Sequence, residues 1–129
     1  MNKGVDANKW IIWGIEHKKL RRVIGTICIW NIDKAEGSGE LGYGIIPDFQ
    51  GKGLMQEAVL RVALYGFDVM KLKTLEAYTE ENNLKSIKLL EKCNFHEINR
   101  ISEDGYHTNK VYHMLVYKLQ KKELYIKAN

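Results

Sequence analysis

Residues 39–59 read GELGYGIIPDFQGKGLMQEAV, and this stretch decides the fold. In Glu40 to Ile46 alternation places Leu41, Tyr43 and Ile45 on one strand face and leaves Glu40 with Gly42 and Gly44 on the other. Pro47 ends that strand, Asp48 to Gly53 is a turn-rich loop, and a helix is expected to start directly at Leu54. The helix is expected to run to Met70, with Met55, Val59, Val62 and Gly66 at i, i+4, i+7 and i+11 along one apolar stripe. Glycines at such a junction free backbone N–H groups to face a ligand, and the helix N-terminus adds a partial positive charge, so a phosphate or pyrophosphate can be held there. Lys52 adds a cation. The pattern is neither G-x-x-x-x-G-K-[ST] nor G-x-G-x-x-G, which removes the P-loop and dinucleotide fingerprints. By itself it also describes a plain strand-to-helix turn.

Working outward, Lys9 to Glu16 and Val23 to Ile32 are rich in Trp, Ile and Val and flank the charged stretch His17 to Arg22, which predicts two strands and their turn. Asp33 to Gly39 is a polar loop. Downstream, Leu72 to Thr79 is expected as a strand, Asn83 to Cys93 as a second helix, and Phe95 to Ser102 with Lys110 to Leu119 as a closing strand pair around Glu103 to Asn109. Glu80 and Glu81 stand just ahead of the second helix, where carboxylates suit its positive end. The expected order is β-β-β-α-β-α-β-β in one α+β domain, without repeats or linkers.

Composition narrows the class. At 129 residues the chain has room for one core, and 45% hydrophobic with 28% charged residues and a single proline excludes disordered, collagen-like and low-complexity readings. No apolar run approaches the roughly 20 residues of a membrane helix, and Met1 to Lys9 lacks the apolar segment of a secretory signal, so the cytoplasm is the expected location. The net charge of +4 invites a nucleic-acid reading. Most of it, however, sits in Lys118, Lys121, Lys122 and Lys127, opposed by Glu123, and residues 120–129 are expected to be a solvated basic tail. Cys28 and Cys93 lack C-x-x-C spacing and are expected as reduced core thiols, with neither a disulfide nor a metal site.

Gln50-x-x-Gly53-x-Met55 resembles the pyrophosphate signature Q/R-x-x-G-x-G/A of the GNAT superfamily of acetyl-CoA-dependent N-acetyltransferases, with Met55 in place of the usual small residue. Within that superfamily residues 39–59 are similar to the RimJ/RimL-type branch of ribosomal-protein N-terminal acetyltransferases, in which a strand bearing E-x-G-Y precedes G-K-G and E-A. Asn83 to Phe95 (NLKSIKLLEKCNF) resembles the same branch's N-x-x-S-x-x-x-L-E-K-x-G-F. Asn94 replaces glycine there, and as the non-glycine residue that best tolerates a left-handed conformation it preserves the helix stop. The resemblance covers roughly residues 10 to 119.

It implies a GNAT fold, with a mixed and mostly antiparallel sheet flanked by helices. It also implies acetyl transfer from acetyl-CoA to a primary amine, a protein α-amine or a small-molecule amine, by direct attack in a ternary complex without a metal. Ile45 and Ile46 would pair with the pantetheine arm, while Gln50, Gly51, Lys52, Gly53, Leu54 and Met55 would hold the pyrophosphate. Asn83, Ser86 and Leu90 share a helix face, which by the resemblance looks toward the thioester. Ser86 is expected to donate to the departing thiolate, because Leu90 occupies the position where many members carry a tyrosine. Ser86 also reads as an ordinary capping serine. Glu40 is the expected base, since an ammonium must lose a proton before it attacks. It reads equally as an exposed strand-end glutamate. His17, His107 and His113 are lesser alternatives, and Tyr43 and Tyr78 are expected to pack or to line the cleft.

By the same resemblance, members begin with a further strand and two helices that form much of the acceptor wall, so the sequence is expected to be a shortened form in which residues 1–8 remain from the second helix. Trp10, Ile12 and Trp13 are then expected to be exposed and to favour a homodimer. The competing readings are a non-catalytic acyl-CoA-binding module and, using the lysine tail, a nucleic-acid binder.

Overall fold

The computed structural model describes residues 10–104 and 111–128. Two strands rich in β-branched and aromatic residues, β1 (Trp10–His17) and β2 (Arg22–Asp33), form an antiparallel hairpin. A bulge at Ile15/Glu16 bends it near its turn. β3 (Ser38–Ile45) returns antiparallel to β2. A 3-10 turn, Pro47–Phe49, then leads to α1 (Leu54–Asp68). That helix is the crossover needed to bring β4 (Thr74–Glu80) parallel to β3. α2 (Leu84–Lys92), β5 (His96–Asp104), β6 (Val111–Gln120) and α3 (Lys121–Ala128) complete the order. Among the described residues the strands form one six-stranded sheet, β1-β2-β3-β4-β6-β5, in which β3–β4 is the parallel pair. The mixed, mostly antiparallel α+β architecture and the element order expected up to β6 are both present.

The core lies between the sheet and the helices. The stripe expected on α1 is buried, and Val59, Ala63 and Phe67 pack with Ile27, Ile29 and Leu75. Leu90 and Cys93 bring α2 into the same cluster with Phe95 and Leu119. Asn94 adopts φ 71°, the left-handed helix stop expected for it.

Three features differ from the expectations. The solvated tail is instead α3, because Leu124, only 2% exposed, inserts into the core and Glu123 accepts from Gln120 N–H at 2.9 Å and pairs with His96 at 2.6 Å. Trp13 is not exposed beside Ile12. Strand alternation turns it toward α1, where it meets the Tyr65 ring edge-on at 5.4 Å, while Ile12 faces the opposite side. Cys93 is a core thiol as expected, but Cys28 is only half-buried and lies on the sheet face away from the helices, across from Gly42. Ile12, Trp30 and Tyr78 are exposed large side chains. No helix among the described residues is long and apolar enough to cross a membrane.

Candidate active site

β3 and β4 pair only from Ser38↔Thr74 to Leu41↔Ala77 and then part. Each prong stays held on its outer side, β3 by β2 as far as Gly25↔Ile45 and β4 by β6 as far as Glu80↔Met114. The fork is therefore built into the sheet. Ile46 N–H donates to Ile24 C=O at 2.9 Å, so by strand alternation the backbone groups of Tyr43 and Ile45 turn toward the fork. The Gln50 side-chain amide reaches back to Ile45 C=O at 3.2 Å. Of the two isoleucines expected to offer backbone groups to an extended arm, Ile45 faces the fork, whereas the Ile46 N–H is spent within the sheet. Tyr43 joins Ile45 there, which the sequence reading missed.

Just beyond the prong, Gly51 and Gly53 adopt φ 75° and 77°, conformations that other residues enter only under strain. Gly53 is the N-cap of α1 and supplies no side-chain cap, and the first bond back along the helix runs from Glu57 N–H to Gly53 C=O. The N–H groups of Leu54, Met55 and Gln56 precede that bond and have no intrahelical acceptor, as in any first helical turn. A β-carbon at either glycine would meet nothing within 4 Å, so space over the loop is open. An uncapped helix start under an open glycine loop fits an anionic group such as a pyrophosphate. Met55 turns its side chain into the core and offers only its backbone there. Lys52 lies over the Phe49 ring at 5.7 Å, with Arg22 at 5.8 Å from the same ring.

α2 closes one side of the fork. Asn83 caps it by accepting from Ser86 N–H at 3.2 Å, and Lys85 reaches Gln50 at 3.4 Å. The half-buried Tyr43 hydroxyl lies 2.5 Å from Ser86 Oγ. Burial pushes the phenol's pKa above its ordinary value, while the Ser86 bond pulls it the other way. Leu90, one turn beyond Ser86, is fully buried.

Glu40 stands on the opposite face of β3, between Trp30 and Glu76 in register, with its Oε2 atom buried. It is half-buried rather than a solvated strand-end glutamate. Cys28 shares this face; burial first, and then the negative field of Glu40, raise its thiol pKa, against a lowering bond from Gly42. A shallow apolar hollow of about 460 Å³ adjoins the site, lined by Val23, Thr26, Gly44, Ile45 and Pro47 among others. The alternative bases sit elsewhere. His17 packs on Phe49 and accepts from Leu20 N–H, and His113 lies beside Ser102 on β6. His107 lies outside the described residues.

The acetyltransferase (GNAT) domain family matches residues 2–96. The chain belongs to that family. The uncharacterized N-acetyltransferase YoaA of Bacillus subtilis is 31% identical over 111 residues, covering 86% of this chain and 63% of the relative. The uncharacterized N-acetyltransferase p20 of Bacillus licheniformis is 32% identical over 106 residues, covering 82% of this chain and 60% of the relative. The chain thus spans about three fifths of the length of these curated relatives. A crystal structure of mutant forms of the spermidine/spermine N-acetyltransferase SpeG from Vibrio cholerae superposes with a TM-score of 0.86 at 21% identity, over 99% of this chain and 76% of that one. At that identity the likeness concerns the fold.

Proposed function

We propose that the chain carries out acetyl transfer from acetyl-CoA to a primary amine, and that it stands with the RimJ/RimL-type branch whose E-x-G-Y and N-x-x-S segments it resembles. The observation that carries this reading is the fork between β3 and β4, opening beside the uncapped start of α1. Tyr43 and Ile45 would bind the pantetheine arm through their backbone, and residues 50–55 the pyrophosphate. The acetyl thioester would then lie in the fork between the two sheet faces.

The two candidate side chains suit the two proton movements from opposite sides of β3. An amine arriving on the Glu40 face gives its surplus proton to the carboxylate, directly or through water. Its nitrogen attacks the carbonyl carbon as the C–S bond breaks, and the sulfur leaves toward α2, where Ser86 donates a hydrogen bond. The acetylated nitrogen releases its remaining extra proton to solvent, solvent supplies the proton that completes the thiol, and Glu40 returns its own to solvent. The acceptor is a protein N-terminus or a small-molecule amine. The reading also implies a cytoplasmic setting, where acetyl-CoA is available, and a homodimer supported by the exposed Ile12 and Trp30.

Calorimetric titration with acetyl-CoA tests the cofactor, and thiol release with a panel of amines tests transfer. Wild type should bind, and Gly53→Asp should abolish binding, because a carboxylate would stand where the pyrophosphate is to lie. Equal binding by both would remove the loop from the site. Binding without thiol release for any amine would favour a non-catalytic acyl-CoA module.

A further inference from the structure

We infer that Tyr43 is a positioning residue for acetyl transfer: its phenol, delivered by the central strand, holds the Ser86 hydroxyl in the orientation from which it donates to the departing sulfur. This rests on the reading above and adds a residue to it. A serine hydroxyl rotates freely about its Cβ–Oγ bond, and on the first turn of a helix it has backbone carbonyls to turn to instead of a ligand. Ser86 is in that position, two residues into α2, with only its backbone N–H fixed by the Asn83 cap. What fixes its side chain is the Tyr43 hydroxyl, 2.5 Å away and 43 residues distant in sequence.

The direction of that bond follows from the two groups. The phenol is the stronger acid, and it is the protonated, neutral form that burial favours, so it donates and Ser86 Oγ accepts. Once Oγ accepts from Tyr43, its own hydrogen must point elsewhere. A hydroxyl that accepts one bond while donating another is also the better donor, since the two bonds polarise each other. The placement answers a further need. Tyr43 carries fork-facing backbone groups and the phenol on one residue, so the strand that would bind the arm also sets the donor. Leu90, the next residue on the same helix face, is buried in the core and brings no hydroxyl.

The test is a double-mutant cycle in steady-state kinetics with acetyl-CoA and whichever amine the panel identifies. Tyr43→Phe keeps the ring and removes the bond; it should lower kcat about fivefold to tenfold, the size of one neutral hydrogen bond, and leave the KM for acetyl-CoA unchanged. Ser86→Ala should lower kcat by on the order of a hundredfold. The double variant should be no slower than Ser86→Ala, because Tyr43 acts only through Ser86. A Tyr43→Phe enzyme with wild-type kcat, a raised KM with kcat intact, or independent losses that multiply in the double variant would each overturn the inference. Should Tyr43→Phe also loosen packing, comparison of the two Ser86→Ala backgrounds exposes that cost separately. Absence of turnover in wild type overturns the acetyl-transfer reading and this inference with it, whereas wild-type turnover with an unaffected Tyr43→Phe overturns the inference alone.

Discussion

Glu40 and Ser86 are separated by the sheet, and that separation gives each a distinct expected phenotype. Glu40→Gln removes the proton acceptor without touching residues 50–55, so acetyl-CoA affinity should be retained while kcat falls by about 10²-fold or more. Retained turnover in that variant would exclude Glu40 as the base. The same substitution has a second readout on the same face. The Glu40 charge helps raise the Cys28 pKa, so Glu40→Gln should lower it and speed alkylation of Cys28 by iodoacetamide at pH 8, followed by peptide mass spectrometry. Both candidate residues were legible from their sequence segments and from strand or helix periodicity. Tyr43 was not, as anything more than a cleft-lining residue. Its place in the alternation with Leu41 and Ile45 marks it for packing, and no local pattern reveals that its hydroxyl meets a serine on another element.

At the scale of elements, α3 is where local reading and structure diverge most. Lys121, Lys122 and Lys127 give the segment the look of a solvated end, although Leu124, Tyr125 and Ile126 stand among them. Tertiary contacts decide otherwise. Leu124 is buried, the Asn94 side chain donates to Glu123 C=O at 3.0 Å, and Glu123 itself reaches both Gln120 and His96. Leu124→Ala should therefore cost about 2–4 kcal/mol in denaturant unfolding, a core-sized loss that a solvated tail would not give. Asn94→Ala should cost on the order of 1–2 kcal/mol, since it strains the left-handed stop at φ 71° and removes the bond to Glu123. The earlier elements were legible to within about two residues because each buries one face against a single neighbouring layer, which prints a period of 2 or 3.6 on the sequence.

For the whole molecule, alkaline stability follows from the same groups. Cys28 and Tyr43 both have folded pKa values above their ordinary 9.0 and 10.0. A raised folded pKa means the native state holds its proton longer than the unfolded chain does, so these groups' contribution is whole below about pH 9 and is lost as pH rises through the folded values. The melting temperature should thus fall as pH rises above about 9, and less steeply in a Cys28→Ser, Tyr43→Phe double variant measured in the same buffers. An identical slope would show that neither thiol nor phenol carries the loss.

The sequence by itself determined the order of elements up to β6, the α1 stripe, the glycine loop and the family, because these depend on spacings within one or two adjacent elements. Only the tertiary structure decided that β3 and β4 part after Leu41 and Ala77, that Tyr43 meets Ser86, and that Ser86 thereby lies across the sheet from Glu40. Those are relations between segments far apart in the chain. They arise from how the sheet is paired on its outer edges and how α2 packs against it, and no local periodicity encodes them.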